Sequence, residues 1–344
     1  IAKGADGLTA LNLVMPLYSI IFSIGEMIGV GSAIRYAISK IKKDADADDY
    51  FWNALIWCIM SSMLFVFAGI FFSADIMRVL GADEHIVAVG NNYTKIFMCF
   101  APMFMCNYVT NAFVRNDGAP GIAMSATLFS SLFNIVFDYI LMFPMNLGME
   151  GAALATALSP IIGMGICSIH FFSKKSSVRL VVCKPSVRKL VAGSQLGVSA
   201  FVGEMSSAVI TLAFNFVILK LAGNVGVAAY GVVANIAIVT TAVFNGVAQG
   251  SQPLISSCFG RGDKDGCTQL KRMGYTTAFV LAAVMYSILF IFAGQFVAVF
   301  NSEGSEMLRL YATEGVKLYF IGIFFAGINI VGGGAFSATE DAFK

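Results

Sequence analysis

Residues 55–72, LIWCIMSSMLFVFAGIFF, form one unbroken apolar run. A helix needs roughly 20 such residues to cross the hydrocarbon core of a bilayer, whereas a membrane β-strand is about ten residues long and alternates in polarity. The run therefore predicts a spanning helix. The same rule marks nine spans, at about 8–36, 50–72, 87–113, 120–143, 150–172, 191–220, 227–258, 272–300 and 310–338. Between them lie short connections rich in turn-forming and polar residues, among them DADADD (44–49), RNDGAPG (115–121), FPMNLGMEG (143–151) and GRGDKDG (260–266). The expected fold is an all-α polytopic membrane protein.

Composition supports this and removes several functions. Only 12% of the 344 residues are charged, about half the share in a soluble domain, and mean hydropathy is +0.80. Such a chain is neither disordered nor able to coat a water-soluble core. A scattered net charge of +2 gives no footprint for nucleic acid. The seven cysteines form no CxxC pair and read as small buried hydrophobes, with no metal site or disulfide frame. His85 and His170 lack any ligand spacing, and no nucleophile–base pair or phosphate loop points to an enzyme.

Basic residues set the orientation. Fifteen lysines and arginines follow the odd-numbered spans, among them Arg35, Arg115, Lys174, Lys184, Arg261 and Lys264, against Arg78, Lys220 and Arg309 after the even ones. The positive-inside rule then puts the first residues outside and the last inside, in a cytoplasmic membrane. A start at Ile1 without a signal peptide, and an end in SATEDAFK directly after a span, lead us to expect a fragment of a longer protein.

The sequence also partly repeats. At a spacing near 219, residues 29–46 lie over residues 248–265, matching at Gly31/Gly250, Ser32/Ser251, Asp44/Asp263 and Asp46/Asp265. At 223, Ala112-Phe113 lies over Ala335-Phe336. Parallel halves of this kind are a hallmark of secondary transporters, whose substrate sites lie between the halves. The expected domains are an N-terminal bundle (1–172), a basic cytoplasmic linker (173–190) and a C-terminal bundle (191–344). Matching the halves gives twelve helices in the intact protein, with one lost in front and two behind.

Asn134-Ile-Val-Phe-Asp138-Tyr-Ile-Leu, followed by Gly148-Met-Glu-Gly-Ala-Ala-Leu-Ala-Thr156, resembles the fifth and sixth helices of the multidrug and toxic compound extrusion (MATE) transporters. Gly246-Val-Ala-Gln-Gly-Ser-Gln-Pro253-Leu-Ile resembles their eighth helix, especially in the branch of DNA-damage-inducible efflux proteins. The resemblance covers nearly the whole chain, as helices two to ten of twelve. It implies two pseudo-symmetric bundles of six helices and an antiporter, working as a monomer, that expels organic cations or drugs in exchange for protons or sodium ions, with no other cofactor. The acid that the family carries in its first helix lies outside this sequence. Residues 316–336, the counterpart of the tenth helix, lack the carboxylate that some members use.

The chemistry should sit on carboxylates inside the spans, because burying one costs several kcal/mol unless a function or a partner holds it there. Three lie well away from span ends: Glu26, Asp138 and Glu204. Asn134 precedes Asp138 by four residues, on the same helix face. Asp138 is six residues before Pro144 and Thr156 six after Glu150, so a hairpin puts both about 9 Å below one rim. An amide, a hydroxyl and a carboxylate at one depth can hold a proton or a dehydrated hard cation. Glu204, with Asn215 three turns further on, matches an acidic seventh-helix position in the resemblance and is the candidate for cation or substrate in the second bundle. Glu26, Gln249 and Gln252 are candidates for lining the cleft. Pro253 should kink its helix, and Gly25, Gly29 and Gly332–Gly334 should be close-packing points between helices.

An alternative keeps the fold and changes the cargo to lipid-linked sugars. Such a flippase needs arginines or lysines facing its cleft, whereas the interior charges expected here are acidic and suit cations. A channel's pore rings should come from oligomeric repetition of one polar motif, and a receptor needs no duplicated halves, so neither fits.

Overall fold

The computed structural model describes residues 4–300 and 305–341, and the described residues are helices joined by short turns and one longer connection. Ile1 and residues 342–344, which bear on the expectation of a fragment, lie outside them. Among the described residues, eight helices are long and apolar enough to cross a membrane, and nine if one bent pair counts as a single span. Their positions follow the expected spans closely.

The first unit contains α1 (Gly4–Lys42), α2 (Asp49–Val79), α3 (Glu84–Cys99), α4 (Ala101–Asn116), α5 (Pro120–Met142) and α6 (Gly148–Phe171). It also takes in the start of α7 (Val187–Gly260), as far as Glu204. The α3 and α4 helices are apolar enough to cross only when taken together, and they are bent by 44° at the break between them. Pro102 sits in the first turn of α4, where it lacks an N–H and its ring clashes with the preceding carbonyls, so the helix cannot run straight through. Asp83 caps α3 by accepting from the Ile86 N–H at 2.8 Å, satisfying one of the donors that a helix start leaves open.

Small residues let these helices touch backbone to backbone. A Cβ on Gly25 would stand 3.0 Å from the Met105 Cα, and one on Gly29 would stand 2.9 Å from the Val109 nitrogen. Thus α1 and α4 pack with nothing between them, as the glycine spacing predicts. The start of α7 lies equally close to α1: a Cβ on Gly197 would overlap the Met27 carbonyl, and one on Gly31 the Gly193 carbonyl. This contact carries the compact unit to Glu204, past residue 172 and past the linker expected at 173–190.

The linker is fastened to the same unit. The Ser186 N–H donates to Asn53 Oδ1 at 2.7 Å, and Lys189 pairs with Asp49.

The second unit runs from Met205 to Ala342. It holds the rest of α7, then α8 (Lys264–Ile291), α9 (Ala293–Phe300), α10 (Glu306–Tyr319) and α11 (Ile323–Ser337), the last two joined by a single tight helical turn at Phe320–Gly322. Gly223, at φ 62° and ψ −157°, breaks α7 into the spans Val187–Ile218 and Val225–Gly260; side chains rarely tolerate that backbone, and glycine does. Asp263 caps α8 through the Gly266 N–H at 2.8 Å. The core of this unit gathers Tyr230, Phe244, Val297, Val316 and Phe320, with Gly327 lying flat on the Phe244 ring, 2.6 Å from where its Cβ would be.

Candidate functional site

The α5–α6 hairpin positions the sharpest candidate. Its turn closes through the Leu147 N–H donating to the Leu141 carbonyl at 3.0 Å, and Asn146 and Gly148 take positive φ to make it. Gly151 then lies so close to Leu141 that a Cβ would sit 2.7 Å from its carbonyl carbon. This tight register brings the polar residues of the two helices level. Asn134 Nδ2 donates to Thr156 Oγ1 at 3.4 Å. Asp138 stands one turn further along α5, half-buried, and its Oδ1 is buried without accepting a hydrogen bond from any described residue.

Two residues that the sequence reading passed over complete the surroundings. Tyr93 of α3 hydrogen-bonds Thr156, and its hydroxyl also meets that of Tyr18 on α1. Both tyrosines lie within electrostatic reach of Asp138. Tyr18 stacks on Phe97, with ring centroids 3.7 Å apart. A usable signal was present: a tyrosine inside an apolar run needs a partner for its hydroxyl.

Glu26 is not alone either. Glu204 and Arg115 both lie within its electrostatic reach, and Tyr108 of α4 senses both glutamates. Arg115, expected in a loop, is drawn inside the bundle by the α4 helix, which runs on to Asn116.

A third cluster was not foreseen. Asp117, just after α4, receives the Ser177 N–H at 2.9 Å, Ser176 Oγ at 3.1 Å and the Tyr36 hydroxyl at 3.1 Å. It also bonds the Ser177 hydroxyl and, at 2.8 Å, His170 Nε2. The His170 and Asp117 side chains are only 4% and 2% exposed. Burial alone would raise the Asp117 pKa, but the bonds from Ser177, His170 and Ser176 outweigh it and hold the carboxyl below its ordinary value. His170, which shows no ligand spacing in the sequence, is thus paired with Asp117.

Comparison with known proteins decides the family. The MatE family model matches residues 1–140 and 200–342. The chain belongs to the MATE family. It is a multi-pass membrane protein of a transporter family, not an enzyme. The chain is 25% identical over 339 residues to the multidrug export protein MepA of Staphylococcus saprophyticus, covering 96% of this chain and 73% of that one. It is 27% identical over 310 residues to MepA of Staphylococcus aureus strain MRSA252, covering 89% of this chain and 66% of the relative. Among solved structures, an outward-facing multidrug resistance MATE transporter of the MOP superfamily superposes with a TM-score of 0.91 at 20% identity, covering 99% of this chain and 76% of its own. That likeness establishes the MATE fold.

Within this MATE fold the remaining candidates are dispersed. Glu204 closes the first unit and Asn215 lies in the second; each is half-buried. Gln252 is 5% exposed, and its Oε1 accepts no hydrogen bond from a described residue; Gln249 is half-buried beside it on α7. The second unit also holds a cavity of about 680 Å³, walled by Phe214, Tyr230, Phe244, Tyr311, Tyr319 and small residues. Phe214 and Tyr230 stack at 5.2 Å, with Tyr319 edge-on at 6.0 Å from Phe214.

Proposed function

We propose that the chain is the transport core of an ion-coupled antiporter that exports drugs or organic cations across the cytoplasmic membrane by alternating access. The observation that carries this reading is the cluster of Asn134, Asp138 and Thr156 inside the first unit, ringed by Tyr18 and Tyr93. A half-buried carboxylate beside an amide and hydroxyls binds either a proton or a sodium ion, the two competing for the same oxygens. Family membership and the MepA relatives supply the cargo class, multidrug export. Those relatives are MepA proteins, so the reading stays with the family rather than with its DNA-damage-inducible branch.

Glu204 is assigned to cationic cargo, with Glu26 as its electrostatic neighbour in the first unit; in the second unit Asn215, Gln249 and Gln252 are assigned as neutral hydrogen-bonding groups of their own. The acidic character of these positions disfavours a flippase for pyrophosphate-linked sugars, and the charge of Arg115 is matched by Glu26. Aromatic walls like those of Phe214 and Tyr230 suit flat cations through their ring faces. The test is transport of a fluorescent organic cation by purified protein in liposomes, under an imposed proton gradient and, separately, an imposed sodium gradient. Export under one gradient supports the reading; none under either overturns it.

A further inference from the structure

Three polar stripes meet in the first unit, half-buried from Asp138 to Ser130 and exposed at Thr127. On α5, Asp138, Asn134, Ser130 and Thr127 recur at spacings of four, four and three, one helix face. On α6, Thr156, Ser159, Gly163, Cys167 and His170 recur at three, four, four and three, again one face. On α4, Asn107 and Asn111 do the same.

The stripes face each other and are joined along their length. Below the bond from Asn134 to Thr156, Ser130 Oγ donates to the Ser159 carbonyl at 2.6 Å, and Ser159 Oγ donates to the Thr156 carbonyl at 3.1 Å. One turn further, a Cβ on Gly163 would stand 2.7 Å from Asn107 Oδ1 and 3.6 Å from the Ser130 Cβ. Asn111 Nδ2 donates to Thr127 Oγ1 at 3.2 Å, Cys167 meets the Thr110 hydroxyl, and the seam ends at the His170–Asp117 pair. Two acceptors on it, Asp138 Oδ1 and Asn107 Oδ1, are buried without a hydrogen bond from any described residue. Buried oxygens of that kind are ordinarily served by water.

We propose that this α4–α5–α6 seam is the route by which a proton leaves Asp138 for the cytoplasmic face. It rests on the reading of Asp138 as the coupling carboxylate. The Asp138 O–H breaks as a water oxygen takes the proton. Waters held by Ser159, Ser130, Asn107 and Asn111 pass it on, each gaining one proton and giving up another. One proton emerges at His170 and Asp138 remains as carboxylate. Hydroxyls and water both donate and accept, which this relay requires. The Asp117 carboxylate stays ionised and orients the His170 ring through their 2.8 Å bond. The charged group flanking the lower seam, Arg115 beside Cys167, is balanced by Glu26.

The test uses purified protein in liposomes with a pH dye inside, reading proton movement coupled to counterflow of a fluorescent cation. Ser130→Ala and Asn107→Leu should each cut coupled proton flux at least about a hundredfold, the lower end of what one positioned proton-transfer group contributes, with the cation KM unchanged. Ser130→Thr, which restores a hydroxyl, should recover the flux. Parental flux in both Ser130→Ala and Asn107→Leu overturns the route; if Asp138→Asn is silent in the same assay, the coupling role of Asp138 survives that failure. A parent that moves no protons, or an Asp138→Asn variant that moves them normally, overturns the route as well. A drop in Ser130→Ala accompanied by loss of cation binding, without rescue by Ser130→Thr, also counts against it, because that pattern marks damage to packing.

Discussion

Asn134 and Thr156, 22 residues apart, meet through an Nδ2 to Oγ1 hydrogen bond of 3.4 Å that ties α5 to α6 one turn from Asp138. The bond fixes the amide and the hydroxyl one helical turn from the carboxylate. Asp138→Asn therefore changes charge without changing the frame that holds it, which makes it the most informative substitution in the molecule.

Asp117 should act as a pH-dependent clasp between α4, the end of α6 and the linker. Its folded pKa lies below the ordinary value of 3.8. The stabilisation is therefore complete above about pH 4 and is lost as pH falls through the depressed value. Replacing it with Asn should cost about 2–3 kcal/mol near neutral pH, the cost of weakening a buried, charge-assisted network. Thermal unfolding in detergent should show a lower midpoint for Asp117→Asn at pH 6 and a shrinking difference from the parent below pH 4.

Gly197 should tolerate no side chain. A Cβ there overlaps the Met27 carbonyl, whereas Gly203, six residues on in the same helix, faces open space. Gly197→Val should lower the unfolding midpoint sharply or abolish folding. Gly203→Ala should be neutral or raise stability by about 0.5–1 kcal/mol through helix propensity. Equal effects at both positions would contradict the close packing of α1 on α7.

Glu204→Gln should weaken export of organic cations while leaving neutral dyes little changed. Cation and neutral-dye export, compared in the same vesicles at matched expression, provide the readout. Equal loss of both would assign Glu204 a structural role.

Cysteines placed at Lys184 or Lys264, in a background without the seven natural ones, should resist a membrane-impermeant thiol reagent added to intact cells. Labelling from outside would reverse the orientation read from the basic loops.

Much of the fold was legible because a bilayer leaves the chain few choices. Among the described residues the nine apolar runs became eight membrane-length helices and one bent helix pair at nearly the expected positions, while counting residues down the α5–α6 hairpin came within a turn, since Thr156 meets Asn134 rather than Asp138. What escaped depends on partners remote in sequence. Tyr18 and Tyr93 are 75 residues apart, and His170 and Asp117 are 53 apart; neither pair leaves a local pattern. Arg115 looked like a loop charge because the ends of α4 and the preceding span could not be fixed to the turn. The bend at Pro102 was visible in principle, since a proline inside an apolar run breaks the backbone ladder. The stripes on α5 and α6 were likewise written at helical spacing, but that they face each other required the packing.

The measurement closest to the central claim is gradient-driven export of a fluorescent cation by Asp138→Asn in liposomes, beside the parent and with insertion verified. The expected variant inserts and folds normally, still binds the dye, and has lost coupled export under both proton and sodium gradients. A variant that exports as fast as the parent under the gradient driving the parent would contradict it.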